Sequence, residues 1–215
     1  MAKRKKCTLV FLAILIMLST LGCSAQKEES TVPAFQMVDI TNSINDAQGG
    51  QDGIVWQVLY IDEFNERALI ISRDCVAMMP YHDKVRAESI TWKKCTLRNW
   101  LNDEFYSSLP NEIQARVIEI KNENPDNVSS GTPGGDLTTD KVFLLSIGEA
   151  DYLFANDSER RASFEGEEAA WWLRSPGNDT DRAAFVLRDG LVLFYGDLVT
   201  RTDIGVRPVL WISLT

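Results

Sequence analysis

Apolar residues fall along the chain in three distinct patterns. The first is an unbroken run of ten, Leu9 to Leu18, with no polar interruption. The second is the strand pattern: Ile54–Ile61 and Arg67–Cys75 are rich in β-branched and aromatic residues and flank Asp62-Glu63-Phe64-Asn65-Glu66. They predict a hairpin with a longer loop. The third has helical spacing. Leu97, Trp100, Leu101 and Phe105 fall on one face of a helix that Thr96 is placed to cap. Pro110 suits the first turn of a second helix, whose Ile113, Val117 and Ile120 again share one side. Lys121–Lys141 breaks every pattern and predicts a long polar loop, of the kind that tends to be functional or mobile.

Beyond that loop, Val142–Leu145 reads as a short buried strand. Ser146 with Glu149 forms a capping box for a helix ending near Phe154. The last third reads as strand throughout. Ala183–Leu187 and Leu191–Tyr195 flank Arg188-Asp189-Gly190, and Asp-Gly between apolar runs is the strongest hairpin signal in the chain. Gly205–Leu214 is the final strand; Pro208 within it cannot donate to a ladder and belongs at an edge or a bulge. Helices toward the front with strands at both ends predict an α+β fold, a mixed and mainly antiparallel sheet with a few short helices.

The leading run changes meaning once its flanks are read. Lys3, Arg4, Lys5 and Lys6 precede it, and it is shorter than a bilayer span, which marks it as the apolar region of a signal peptide. Ser19-Thr20-Leu21-Gly22-Cys23 follows and resembles the lipobox of bacterial lipoproteins. That resemblance implies cleavage before Cys23 and lipidation of Cys23. The expected organisation is a lipoprotein signal peptide (1–22), a polar tether (23–34) and one domain (35–215). It implies a location on the extracytoplasmic face of the cell membrane, held by the lipid anchor. Loss of the four leading cations turns a net charge of −9 into −13. So acidic a chain, with no basic stripe, excludes nucleic-acid binding. Of the four cysteines, Cys75 and Cys95 remain after processing, and in an exported chain they are either a disulfide or two buried free thiols.

Six stretches in order — IVWQVL, ALIIS, TWKKCTLRNWLNDEFY, TTDKVFLLS, WWLRSPG and GVRPVLW — resemble a bacterial family of exported proteins known only as a domain of unknown function. The resemblance spans about residues 54–212. WWLRSPG and GVRPVLW together are also similar to the closing segment of the C-type-lectin-like fold, shared by formylglycine-generating enzymes and their non-enzymatic relatives. That similarity implies adjacent N- and C-terminal strands and a loop-rich face able to present a ligand. It carries no activity over, because Cys75 and Cys95 lie far in sequence from the C-terminal segment where the reactive pair of those enzymes belongs.

Candidate chemistry is sparse. The chain has six tryptophans, at positions 56, 92, 100, 171, 172 and 211, most of them on apolar faces suited to a core. Trp171 and Trp172 must point to opposite sides of a strand, so one enters the core while the other faces a second layer or a groove. Arg174 and Arg207 sit in apolar strands, as structural forks onto carboxylates and carbonyls or as anion clamps. Asn178, Asp179 and Asp181, and separately Asp126, Asp136 and Asp140, read as solvated acidic loops rather than a calcium site. His82, the one histidine, reads as a loop or surface residue with no metal-ligand spacing around it. No metal or other cofactor is expected. The expected function is non-catalytic binding of a glycan, peptide or surface protein. Its site would be where Trp172, Arg174, Asp179 and Arg188 meet the 121–140 loop. The alternative is a hydrolase-like cell-envelope enzyme, which requires a cleft where carboxylates with raised pKa values meet, for instance two carboxyls about 5–9 Å apart as in glycosidases.

Overall fold

The computed structural model describes residues 53–84 and 89–214; the leader, Cys23, the tether and the start of the domain lie outside the described residues. Strands β1 (Trp56–Asp62) and β2 (Arg67–Ser72) form the expected hairpin, with Trp56 opposite Ser72 and Asp62 opposite Arg67. Asp62 closes the turn by accepting from the Asn65 backbone at 3.1 Å, the Asn65 amide at 2.8 Å and Arg67 Nε at 2.9 Å. The strand stops at Ser72, three residues short of the expected end, and the chain crosses to a second sheet through β3 (Ala77–Met78).

The first helix, α1 (residues 96–108), runs as α-helix over Thr96–Trp100, a π-helical turn over Leu101–Phe105 and a last α-turn over Tyr106–Ser108. Of the four residues expected on its inner face, Leu97, Leu101 and Phe105 are buried and Trp100 is half-buried against the core. Its cap is Cys95, not Thr96: the Cys95 sulfur accepts from Arg98 N at 3.4 Å. Thr96 N instead donates to His82 Nδ1 at 3.1 Å. His82 is thus a loop residue, the first of the two alternatives read for it, but it is buried and not at the surface. The second helix, α2 (Asn111–Arg116), ends four residues early. The β-branched pair after it forms strand β4 (Val117–Ile118), which adds to the final strand.

The polar loop is more ordered than its composition suggests. Within it, β5 (Ile120–Asn122) pairs with β6 (Thr138–Asp140). Asp140 is wholly buried, not solvated, because four donors converge on it: Trp92 Nε1 at 3.1 Å, Asn122 Nδ2 at 2.8 Å, Thr138 Oγ1 at 2.7 Å and Arg98 Nε at 2.6 Å. Asn127 ties the loop to the C-terminal strands, donating to the carbonyls of Pro176 and Phe194 at 2.9 and 2.8 Å. Helix α3 (Ile147–Leu153) carries the predicted capping box, with both reciprocal bonds present. A short helix α4 (Asp157–Arg160) and the hairpin of β7 (Ala162–Phe164) and β8 (Glu167–Ala169) follow.

The remaining strands are β9 (Trp171–Pro176), β10 (Arg182–Val186), β11 (Val192–Leu198), β12 (Gly205–Val206) and β13 (Val209–Ser213). One sheet has the order β1-β2-β13-β4 and the other β11-β10-β9-β12-β3, antiparallel except for β9 with β12. Pro208 lies where the last segment leaves one sheet for the other, so the missing N–H costs no ladder bond there. Its carbonyl accepts from Ser72 N at 3.0 Å. Gly190 is required in the β10–β11 connection: its φ is +90°, and a β-carbon there would collide with the Asp157 carbonyl. The described domain is thus α+β with mainly antiparallel sheets.

Candidate binding groove

Strand β9 holds two of the residues expected to bind, and both are buried. Trp171 and Trp172 do point to opposite faces, but both faces are covered and each ring is 0% exposed. Trp172 packs edge-on against Tyr81 and Phe185 and donates Nε1–H to the Met79 carbonyl at 3.0 Å. Trp171 packs against Phe154 and donates to the Arg160 carbonyl at 2.9 Å. A ligand cannot stack on Trp172 without unfolding this layer, which corrects its assignment as a stacking residue.

Arg174 is also spent internally. Nη1 donates to the Leu144 carbonyl at 2.8 Å and Nη2 to the Glu123 carbonyl at 3.1 Å. The same two nitrogens fork onto both oxygens of Glu149, Nη2 to Oε1 at 2.7 Å. Four of its five N–H donors are spent in this way and the fifth, on Nε, is buried away from the surface, so the structural reading of Arg174 holds. Arg207 is comparable. Its guanidinium lies between Trp171 and Phe154, 4.7 and 5.8 Å from their ring centroids, and donates to the carbonyls of Ser72 and Arg160. Burial lowers its pKa to about 10, against the opposing pull of the Cys75 and Asp74 side chains. It stays protonated at neutral pH.

The other two expected site residues are exposed but isolated from these. Asp179 folds back on Thr180 N at 2.7 Å. Arg188 lines a separate basin of about 540 Å³ with Asp197, Arg201 and Asp203, in which Arg201 is already clamped by both aspartates. Trp172, Arg174, Asp179 and Arg188 do not form one site. Cys75 and Cys95 are separate buried free thiols, the second of the two readings left open for them. Burial pushes both thiols up to about 12. They are inert at neutral pH despite Arg207 near one and Arg98 near the other.

The arrangement best suited to a ligand lies on the other sheet. Tyr60, Leu69 and Trp211 form a row across β1, β2 and β13, since Leu69 pairs with Tyr60 on one side and Trp211 on the other. Helix α3 and Phe143 wall this row, enclosing an open groove of about 480 Å³. Its rim is aromatic: Tyr60 is 42% exposed, Tyr152 on α3 is 67% exposed and Trp211 is half-buried. Tyr60 and Trp211 meet edge to face at 6.1 Å, and the Arg67 guanidinium lies 4.4 Å from the Trp211 centroid. That size and an apolar lining with few polar groups are those of small-molecule sites.

Among the described residues, Glu149 is the one charged residue that lines the groove. Burial pushes its pKa up, but the Arg174 hydrogen bonds and charge and the Ser146 donors outweigh this and hold it below the ordinary carboxylate range. Arg174 supports the wall in further ways. Its N–H donates to the Leu145 carbonyl at 2.9 Å, and neighbouring Ser175 Oγ accepts from Ile147 N at 3.0 Å. The buried motif therefore anchors the first turn of α3, and α3 carries Tyr152 to the rim. Tyr60, Tyr152 and Trp211 were not picked out from sequence as a site. Strand alternation at Trp211, which sits between buried Leu210 and Ile212, was the available signal.

The carboxyls of Asp62, Asp136, Glu149 and Asp203 all have lowered pKa values, a state suited to ion pairing and not to general-acid chemistry. Among the described residues no group of three or more His, Cys, Asp or Glu is placed to hold a metal ion, and no helix is long and apolar enough to cross a membrane. These features define an α+β domain with an aromatic groove on one sheet face. Residues 65–214 match the family described as a domain of unknown function (DUF6273), so the chain belongs to that family. No curated protein and no solved structure matches the chain.

Proposed function

We propose that this protein is a non-catalytic binding module of the cell envelope, tethered to the extracytoplasmic face of the membrane through a lipid on Cys23. The aromatic groove of Tyr60, Tyr152 and Trp211 is its recognition surface. The observation that carries this reading is the meeting of two exposed rings and one half-buried ring around one apolar groove, whose only carboxylate among the described residues is already paired. Large aromatic side chains are normally spent on cores, so three at the rim of one groove call for an occupant. The C-type-lectin-like resemblance belongs to this proposal too, as a fold whose loop-rich face presents ligands.

Two experiments test it. Mass analysis of the mature N-terminus finds a diacylated Cys23; an unmodified residue 23 removes the anchor. The full chain in detergent micelles co-sediments with detergent-washed cell envelopes, and Tyr152→Ala abolishes this. Retention indifferent to Tyr152 removes the groove reading. Release of soluble fragments from the envelopes by the purified protein favours the hydrolase alternative.

A further inference from the structure

We infer that the occupant of the groove is an uncharged carbohydrate chain, its sugar rings stacked on the aromatic rim. This rests on the groove being the binding site, and three observations narrow the ligand to this class.

The floor is the face of a sheet, not its edge. Tyr60, Leu69 and Trp211 sit on three adjacent paired strands, whose N–H and C=O groups point in the sheet plane toward one another. An extended peptide laid across that face finds no ladder to join, so strand addition has no place there. A pyranose ring carries its hydroxyls around its equator and apolar C–H patches on its faces. It can lay a face on an aromatic ring while most of its hydroxyls stay in water.

Charge points the same way. The Glu149 charge is matched by Arg174, and that of Arg67, stacked on Trp211, by Asp62 at 2.9 Å. The groove therefore offers no unbalanced charge to a polyanion or a polycation.

The third observation is the carboxylate. An ionised carboxylate has about four lone-pair positions. Arg174 fills one on each oxygen of Glu149, Ser146 N fills another on Oε2 at 2.9 Å, and the Ser146 hydroxyl bonds the carboxylate as well. Glu149 is thus spent on the fold, and recognition falls to the faces of the rings.

The test is titration of the full chain in detergent micelles, with EDTA, using linear neutral hexasaccharides of β-linked glucose, β-linked N-acetylglucosamine and α-linked mannose. A sulfated polysaccharide, a Lys-rich peptide and a Pro/Tyr-rich peptide are run beside them. At least one neutral hexasaccharide binds, with affinity insensitive to salt between about 0.05 and 0.5 M. Tyr152→Ala and Trp211→Ala weaken it about tenfold or more. Tyr152 is the decisive position, because it is the most exposed of the three rings. Peptide or polyanion binding that Tyr152→Ala abolishes, with no sugar bound, overturns the carbohydrate assignment and leaves the groove as the site. Sugar binding indifferent to both substitutions also overturns it. Failure of every probe to bind through Tyr152 and Trp211 removes the assignment and the groove reading together.

Discussion

Trp171 and Trp172 in β9 and Trp211 in β13 sit in strands of similar length and similar apolar character, yet they are used in opposite ways. The β9 pair is sealed on both faces, by Phe154 and Arg207 on one side and by Tyr81 and Phe185 on the other. Trp211 is flanked by buried Leu210 and Ile212 but projects from the other face of its sheet, where α3 covers the row only in part. The difference is one of what lies above each face, not of strand chemistry. A tryptophan reports a binding surface only when the layer above it leaves a gap. Conversely, a motif as distinctive as WWLRSPG can be wholly structural while still setting the shape of a site elsewhere, here through Arg174 and Ser175 at the start of α3.

This contrast makes graded predictions. The largest effect belongs to the sealed layer: Trp172→Ala costs about 3–5 kcal/mol by chemical denaturation, because it opens a cavity and leaves the Met79 carbonyl without its donor. A loss below about 1 kcal/mol would place Trp172 at a surface and break the comparison. Next is Arg174→Leu, expected to cost about 2–3 kcal/mol; the figure is reduced from that of a fully buried pair because Glu149 remains partly in water. Hydrogen exchange should then rise in α3 first. Arg174→Lys restores little of this, since an ammonium cannot fork.

The pH dependence of Glu149 is a finer probe. Its folded pKa is depressed below 4.5, so its contribution to stability is complete above that value and is lost as pH falls through the lower, folded one. Acid unfolding of the wild type steepens in that window, and Glu149→Gln flattens it; an unchanged acid limb in Glu149→Gln means that the fork contributes nothing. The smallest structural effect belongs to the rim: Tyr152→Ala shifts stability by no more than about 0.5 kcal/mol. Cys75 and Cys95 add an independent check, since peptide-resolved maleimide labelling of the native chain at neutral pH should leave both unmodified until denaturant is added.

Much of the fold was legible because its signals are local. The Asp-Gly turn, the capping box of Ser146 and Glu149 and the i, i+3, i+4 face of α1 each depend on residues close in sequence, and each is present. Where a long-range partner overrides local preference, the expectations missed. Val117 and Ile118 leave helical spacing because β13 offers a strand edge to join. Asp140 is buried, not solvated, because donors from Trp92, Arg98, Asn122 and Thr138 reach it. The groove was illegible for the same reason: Tyr60, Tyr152 and Trp211 lie about 90 and 60 residues apart in sequence, and only the pairing of β2 with both β1 and β13 brings the first and last together.

The most direct measurement is residue-resolved hydroxyl-radical footprinting of the full chain, read by mass spectrometry. The account predicts rapid labelling of Tyr60, Tyr152 and Trp211 and protection of Trp171 and Trp172 up to the global unfolding transition. Labelling of Trp172 at the rate of Trp211 in the native protein, or protection of all three rim residues in the unliganded protein, would contradict it.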